Sequence, residues 1–212
     1  MKIIMIKSQK GGSGKTTLAA HLAVEAELQE NGPAWLIDTD KQATLSQWHE
    51  RRAAELPQRL DVPLGKLKAG LSAIAERGAA YCFVDTAPTI SKQSAQLLDL
   101  ADLVVIPVRP SPADLWSVAE TVEEVRGAGR PFLFVVTQAK ARAALTAQSV
   151  AALSAHGQVA ESFVCDRVLY AAAMTGGQTA QEIARRSPAA EEIAVLWGCL
   201  KACFHEKRKS RK

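Results

Sequence analysis

Two lysines set in a run of glycines are the groups in this sequence with the most chemistry in reach. The stretch Gln9-Lys10-Gly11-Gly12-Ser13-Gly14-Lys15-Thr16-Thr17 follows an apolar run, Ile3–Ile6, and opens an apolar-periodic segment through Leu18 and Leu22. A glycine-rich loop between a buried strand and a helix binds phosphate. Its backbone N–H groups and the free N–H groups of the helix start converge on one spot, where the helix dipole also favours negative charge. Glycine lets the backbone approach the anion and reach dihedrals that a Cβ forbids. In this reading Lys10 through Thr17 line the phosphates. Lys15 reaches the β- and γ-phosphates, and the Thr16 hydroxyl ligates Mg²⁺. The general pattern places a glycine where this chain has Gln9, and the extra Lys10 stands beside it.

Carboxylates follow on two further apolar runs. Trp35-Leu36-Ile37-Asp38-Thr39-Asp40 reads as a strand ending in two acids, and alternation puts both on one side if the strand continues that far. Tyr81-Cys82-Phe83-Val84-Asp85 reads as a second strand ending in an acid, the pattern of a Walker B aspartate that holds a Mg²⁺ shell. The metal set is then Thr16, Asp85 and, in support of the same water shell, Asp38. Asp40 is placed to orient the water that attacks the γ-phosphate. One such acid alone reads as a strand-end or cap residue. Three after a phosphate loop read as a Mg·nucleotide site.

The elements that must position these groups alternate along the chain. Strands are expected at 2–7, 34–38, 80–85, 102–108, 131–137 and 159–164, with a weaker candidate at 60–64. Helices are expected near 15–30, 42–55, 66–77, 91–101, 113–127, 146–156 and 189–204. Runs such as Val104-Val105-Ile106 and Phe132–Val136 are continuously apolar, as strands buried on both faces of a parallel sheet are. The fold class is therefore α/β: a single domain with a mostly parallel, twisted sheet flanked by helices and right-handed crossovers. Ligands of such sheets sit at the carboxyl ends of the strands, where the acids fall. The domain is expected over 1–204, followed by a basic tail over 205–212.

Composition narrows the function classes. With 212 residues the chain can bury one sizeable core. No apolar run approaches the ~18–20 residues that span a bilayer. Ile3–Ile6 is too short for a signal peptide, so a cytoplasmic location is expected. Cys82, Cys165, Cys199 and Cys203 show no CxxC spacing and read as reduced thiols. The net charge of +4 matches that of the tail alone, which holds five Lys/Arg and one Glu, so the rest of the chain is balanced. Such a tail is either a solvated end or a contact for a polyanion such as DNA or anionic lipid.

Four motifs occur in order: Lys10–Thr16; Asp38-Thr39-Asp40-Lys41-Gln42; Val84-Asp85-Thr86-Ala87-Pro88; and Ile106-Pro107-Val108-Arg109-Pro110-Ser111-Pro112. Together they resemble the ParA/MinD family of deviant Walker ATPases, and within it the short, ParF-like partition proteins. The similarity covers nearly the whole chain. It implies a P-loop NTPase fold and binding of ATP/ADP with Mg²⁺. It also implies slow hydrolysis without a partner, with Lys10, Lys15 and Asp40 as the catalytic set. In this family the extra lysine, here Lys10, reaches across an ATP-sandwich homodimer to the partner's nucleotide; a local phosphate contact is the alternative. Pro107, Thr137 and Gln138 fall where relatives approach the adenine, or are ordinary loop residues. The family often has Asp-Pro-Gln where this chain has Asp40-Lys41-Gln42, which loosens the turn and adds a charge. No segment precedes the first strand here, so operator binding by an N-terminal helix-turn-helix is not expected.

The resemblance implies a surface switched by ATP. The first reading is DNA partition: the dimer binds nucleoid DNA non-specifically, and a ParB-like, centromere-binding adaptor stimulates hydrolysis. Arg142, Arg167, Arg185, Arg186, Lys201, Lys207 and Arg208 are the candidate DNA contacts, suited to phosphate rather than base edges. A MinD-like membrane cycle would use the stripe Ile193, Leu196, Trp197, Leu200 and Phe204, but a helix packed on the sheet gives the same stripe, and the extreme C-terminus is polar. The remaining reading is a ParA-type ATPase that positions another cargo or assists conjugative transfer. Trp48 is expected in packing, and Trp116 and Trp197 in the core or at a dimer surface.

Overall fold

The computed structural model describes residues 1–88, 92–140 and 143–209, with 92–94 and 206–209 described as backbone. Seven strands form one sheet in the order β3-β2-β4-β1-β5-β6-β7. They are β1 (Lys2–Ile6), β2 (Ala34–Asp38), β3 (Gln58–Arg59), β4 (Tyr81–Asp85), β5 (Leu103–Val108), β6 (Phe132–Ala139) and β7 (Val164–Cys165). Every adjacent pair is parallel. The helices are α1 (Lys15–Leu28), α2 (Thr44–Glu50), α3 (Leu67–Glu76), α4 (Lys92–Leu98), α5 (Pro112–Gly127), α6 (Ala144–Ser154), α7 (Val168–Thr175), α8 (Ala180–Ile183) and α9 (Pro188–Lys209).

Two apolar layers cover the sheet, and strand alternation assigns residues to them. Ile4 and Ile6 of β1 join Leu18 and Leu22 of α1, Trp48 of α2, and Ile193, Leu196, Trp197 and Leu200 of α9. Met5, between them in sequence, points to the opposite layer with Leu71 of α3, Leu98 of α4, Val122 of α5 and Leu153 of α6. The apolar stripe of α9 is thus core: Trp197 is fully buried, packs edge-on against Tyr81 and donates from Nε1 to Asn31 Oδ1.

Several elements differ from expectation for local reasons. The run 159–164 is not one strand. Gln158 O and Ala160 N bond to Phe134, the chain bends at Ser162, whose hydroxyl donates to Glu192 O, and pairing resumes only at Val164. Helix α2 starts late because Ala43 takes a left-handed conformation at φ 52. The weak strand falls at Gln58–Arg59 rather than 60–64, and Pro63 opens a 3-10 turn over Leu64–Lys66. Helices α7 and α8 were not expected. The Thr179-x-x-Glu182 capping box that begins α8 is legible in sequence. Helix α9 continues unbroken through the start of the basic segment to Lys209.

Register sets up the site. Ile6 is level with Asp85 across β1–β4, and Asp85 with Asp38 across β4–β2. Three adjacent strands therefore end in one row at the carboxyl edge. The loop into α1 leaves from β1, at one end of that row and next to β4.

Candidate nucleotide-binding site

The loop from Gln9 to Gly14 turns on two left-handed glycines, Gly12 at φ 71 and Gly14 at φ 91, the latter being the N-cap of α1. A side chain is strained at either position. Neighbouring groups hold the loop's carbonyls outward. Thr137 Oγ1 donates to Ser13 O at 2.8 Å, and Gln138 Nε2 donates to Gly12 O at 2.6 Å. Gln138 reaches the loop because β6 shifts register between Thr137 and Ala139, and Gln138 itself sits at φ 50. With these carbonyls anchored from outside, the amides are left to cradle an anion.

Lys15 is buried at the head of α1, and its ammonium donates to Lys10 O at 3.3 Å. Burial lowers its pKa, against the attraction of Asp85 and Asp40. A second buried cation, Lys7, lies just before the loop and pairs with Glu124 of α5 at 3.1 Å. The half-buried Lys10 forms no ion pair among the described residues. It lines a narrow cleft with Ser8, Pro107, Asp114 and Ser117.

Asp85 is 1% exposed, and Thr16 Oγ1 donates to its Oδ2 at 2.5 Å. Burial pushes its pKa up to about 7, helped by Asp38 and Asp40 and opposed by Thr16 and Lys15. Its Oδ1 is buried with no hydrogen-bonding partner among the described residues. An orphaned carboxylate oxygen beside a threonine hydroxyl fits a hard divalent cation, which favours oxygen ligands and relieves the cost of burying the charge.

The two acids after β2 divide their work. The strand ends at Asp38, so Asp40 lies in the loop rather than on a continued strand face. Asp38 is committed to structure: Oδ1 accepts from Asp40 N at 3.0 Å, and Oδ2 accepts from Ser46 N and Oγ. A water-bridged role in the metal shell leaves those bonds intact. Asp40 Oδ1 accepts from Gln42 N at 3.0 Å. Beyond this loop, α2 is docked on the α7–α8 turn. Trp48 Nε1 donates to Gln178 O, and Arg52 bonds both Gly177 O and the Glu182 carboxylate.

A cavity of about 190 Å³ opens beside the loop between Gly14, Thr17, Thr137, Gln138, Cys165, Asp166, Arg167 and Tyr170. It brings Thr137 and Gln138 together as base-side candidates. Pro107 lies apart, in the cleft with Lys10. Tyr170, Asp166 and the supporting Glu192 went unread in sequence, since residues 166–192 carry no nucleotide-binding motif. Arg167 differs from the other expected DNA contacts: its guanidinium grips Glu192 at 2.6 and 2.9 Å. Arg185 and Arg186 are exposed, and Lys201 donates to the neutral amides of Gln29 and Asn31. Arg142 and the side chains of Lys207 and Arg208 lie outside the described residues. Of the tryptophans, Trp48 is buried packing, whereas Trp116 on α5 is 79% exposed.

The sequence profile of the CobQ/CobB/MinD/ParA nucleotide binding domain matches residues 4–180. The chain belongs to this family. That makes it a nucleotide-binding ATPase of the ParA/MinD type. A curated relative, the maintenance of carboxysome distribution protein A of Halothiobacillus neapolitanus, is 29% identical over 205 residues, spanning 90% of this chain and 92% of its own length. Protein ParA of Rhizobium radiobacter is 28% identical over 127 residues, 58% of this chain and 55% of its own. Among solved structures, Cyanothece apo McdA superposes with a TM-score of 0.79 at 20% identity, covering 94% of this chain and 99% of that one. Among the described residues, no helix of this ParA/MinD-type chain is long and apolar enough to cross a membrane.

Proposed function

We propose that the protein is a slow, ATP-driven positioning ATPase that dimerises on ATP and holds DNA non-specifically, with DNA partition as its first role. The observation that carries this reading is Lys10. It stands at the lip of a complete phosphate loop, half-buried and without an acidic partner among the described residues. A cation placed there suits phosphate on a facing subunit.

In this mechanism Lys15 and the loop amides bind the phosphates. Mg²⁺, when bound, neutralises charge on the β- and γ-phosphates and holds ordered water. Thr16 and Asp85 would hold it. Asp40, at the turn after β2, orients the attacking water. Thr137 and Gln138 keep the loop in shape on the base side. The dimer would double a basic face drawn from Arg185, Arg186, Lys201 and the basic end of α9, making DNA affinity depend on nucleotide. A ParB-like adaptor would stimulate turnover.

One observation favours a second cargo. The relative aligned along nearly its full length is a carboxysome distribution protein, so a protein assembly in place of a DNA locus is the alternative use of the same cycle. Of the stripe that motivated the MinD-like membrane reading, Ile193, Leu196, Trp197 and Leu200 are buried in the core and Phe204 is half-buried against it, which weighs against that reading.

The test is co-sedimentation with DNA and with anionic vesicles, with ATP or ADP, across a salt series. Pelleting with DNA in ATP, lost steeply as salt rises, is expected. Pelleting with vesicles alone would sink the proposal.

A further inference from the structure

The loop has a second cationic neighbour that the mechanism above does not use. Arg109 follows β5, at the same carboxyl edge as the phosphate loop. Its Nε and Nη2 are clamped by Asp114 Oδ1 and Oδ2 at 3.0 and 3.2 Å. Asp114 is itself buried at the start of α5, where Ser111 Oγ donates to Oδ2. The fork is therefore held on two of its three nitrogens. The third, Nη1, lies 3.6 Å from the point that a Cβ on Gly12 would occupy. Gly12 thus has an arginine nitrogen directly over its bare face.

Two further facts say which part of a nucleotide this nitrogen would meet. Gly12 O is held from outside by Gln138, so the N–H that shares its peptide plane, that of Ser13, faces the opposite way. Lys15, which reads the β- and γ-phosphates in such loops, rests its ammonium on Lys10 O, two residues from Gly12. This arm of the loop is the one that meets the outer phosphates. Surface arginines paired with acids are common and usually structural. This pairing is unusual in aiming a pre-set guanidinium at a glycine of the loop. A fixed fork needs little reorganisation to accept a phosphate oxygen.

We infer that Arg109 is a phosphate ligand in cis, with Nη1 reading the terminal phosphate of the nucleotide held by its own loop while Asp114 keeps the fork in place. It would distinguish the triphosphate from the diphosphate state and so help set which nucleotide drives the switch. The inference rests on the nucleotide reading of the site and adds a residue to it.

The experiment is equilibrium titration of a fluorescent non-hydrolysable ATP analogue and fluorescent ADP, both with Mg²⁺, into the unmodified chain, Arg109→Ala and Arg109→Lys, with unfolding midpoints measured alongside. Arg109→Ala should weaken the ATP analogue about tenfold or more while leaving ADP within about twofold. Arg109→Lys, which keeps charge but not the fork, should fall between. A purely structural arginine would weaken both nucleotides together, and equal losses or no loss would overturn the assignment. If Arg109→Ala does not fold, the ATP-to-ADP affinity ratio of Arg109→Lys decides alone. An unmodified chain that binds neither nucleotide would overturn the site reading itself, a result distinct from a failure at Arg109.

Discussion

Thr16, the second residue of α1, donates its hydroxyl to Asp85 at the end of β4, 69 residues away in sequence. That bond joins the head of α1 to the strand beside β1, while Asp85 Oδ1 stays buried and unpaired among the described residues. Asp85→Asn should therefore remove the effect of Mg²⁺ on nucleotide affinity, so that titrations with Mg²⁺ and with EDTA coincide. The fold should survive, because the amide avoids the cost of burying a charge. A Mg²⁺ enhancement that persisted would take Asp85 out of the metal shell.

Asp40 is set apart from Asp38 by position: it sits past the strand end, and among the described residues its carboxylate accepts only from Gln42 N in the turn that follows. Asp40→Ala should cut turnover about a hundredfold or more while ATP affinity stays within about twofold. Phosphate release in steady state measures the first, and titration the second. Hydrolysis at the unmodified rate would remove Asp40 from its role.

Lys10→Ala should abolish the ATP-dependent dimer, read by light scattering, while monomer binding of nucleotide weakens only modestly. A dimer of unchanged affinity would instead support a local phosphate contact for Lys10.

Gly177 lies at φ 71 under α2, and a Cβ there would come within 2.5 Å of the Arg51 carbonyl carbon. Backbone cannot swing aside as a side chain can. Gly177→Ala should cost about 2 kcal/mol or more of stability, seen as a lower denaturant midpoint. It should also loosen the Trp48 and Arg52 contacts that dock α2 behind the Asp40 loop.

His21, fully buried in α1, bonds Thr17 O through Nδ1 and accepts from Ala180 N at Nε2, a neutral tautomer held at both ends. Burial lowers its pKa to about 4, against a backbone bond that raises it. Below the ordinary value of 6.5 the unfolded chain takes up the proton first. This contribution to stability is therefore whole above pH 6.5 and is lost as pH falls toward 4. Asp85, pushed up to about 7, works in the opposite direction over this window, so the His21 part is read as a difference: relative to His21→Gln, the unmodified chain should lose urea midpoint as pH falls from 6.5 to about 4. An identical pH dependence in the variant would show that other groups cause it.

Most of the architecture was readable because strands buried on both faces announce themselves as short apolar runs. Six of the strand expectations landed on or beside an observed strand. The misses have different local causes. The run 159–164 has the composition of a strand, but its pairing is interrupted by a side-chain bond from Ser162 to α9, a contact that no local pattern encodes. Helix α8 is only four residues long, too short for periodicity, though its capping box was present to be seen.

The phosphate loop, the three acids and the extra lysine were legible in one dimension, because glycine, lysine and strand-end aspartates do this chemistry through residue type and close spacing. Convergence was not. The level ends of β1, β4 and β2 follow from sheet register, and register is a property of pairing between strands distant in the chain. The same holds for the Gln138 bulge that braces Gly12, the capture of Arg167 by Glu192, and the placing of Arg109 over the loop. Each depends on a backbone turn or partner tens of residues away, so each was settled by packing and not by the order of residues.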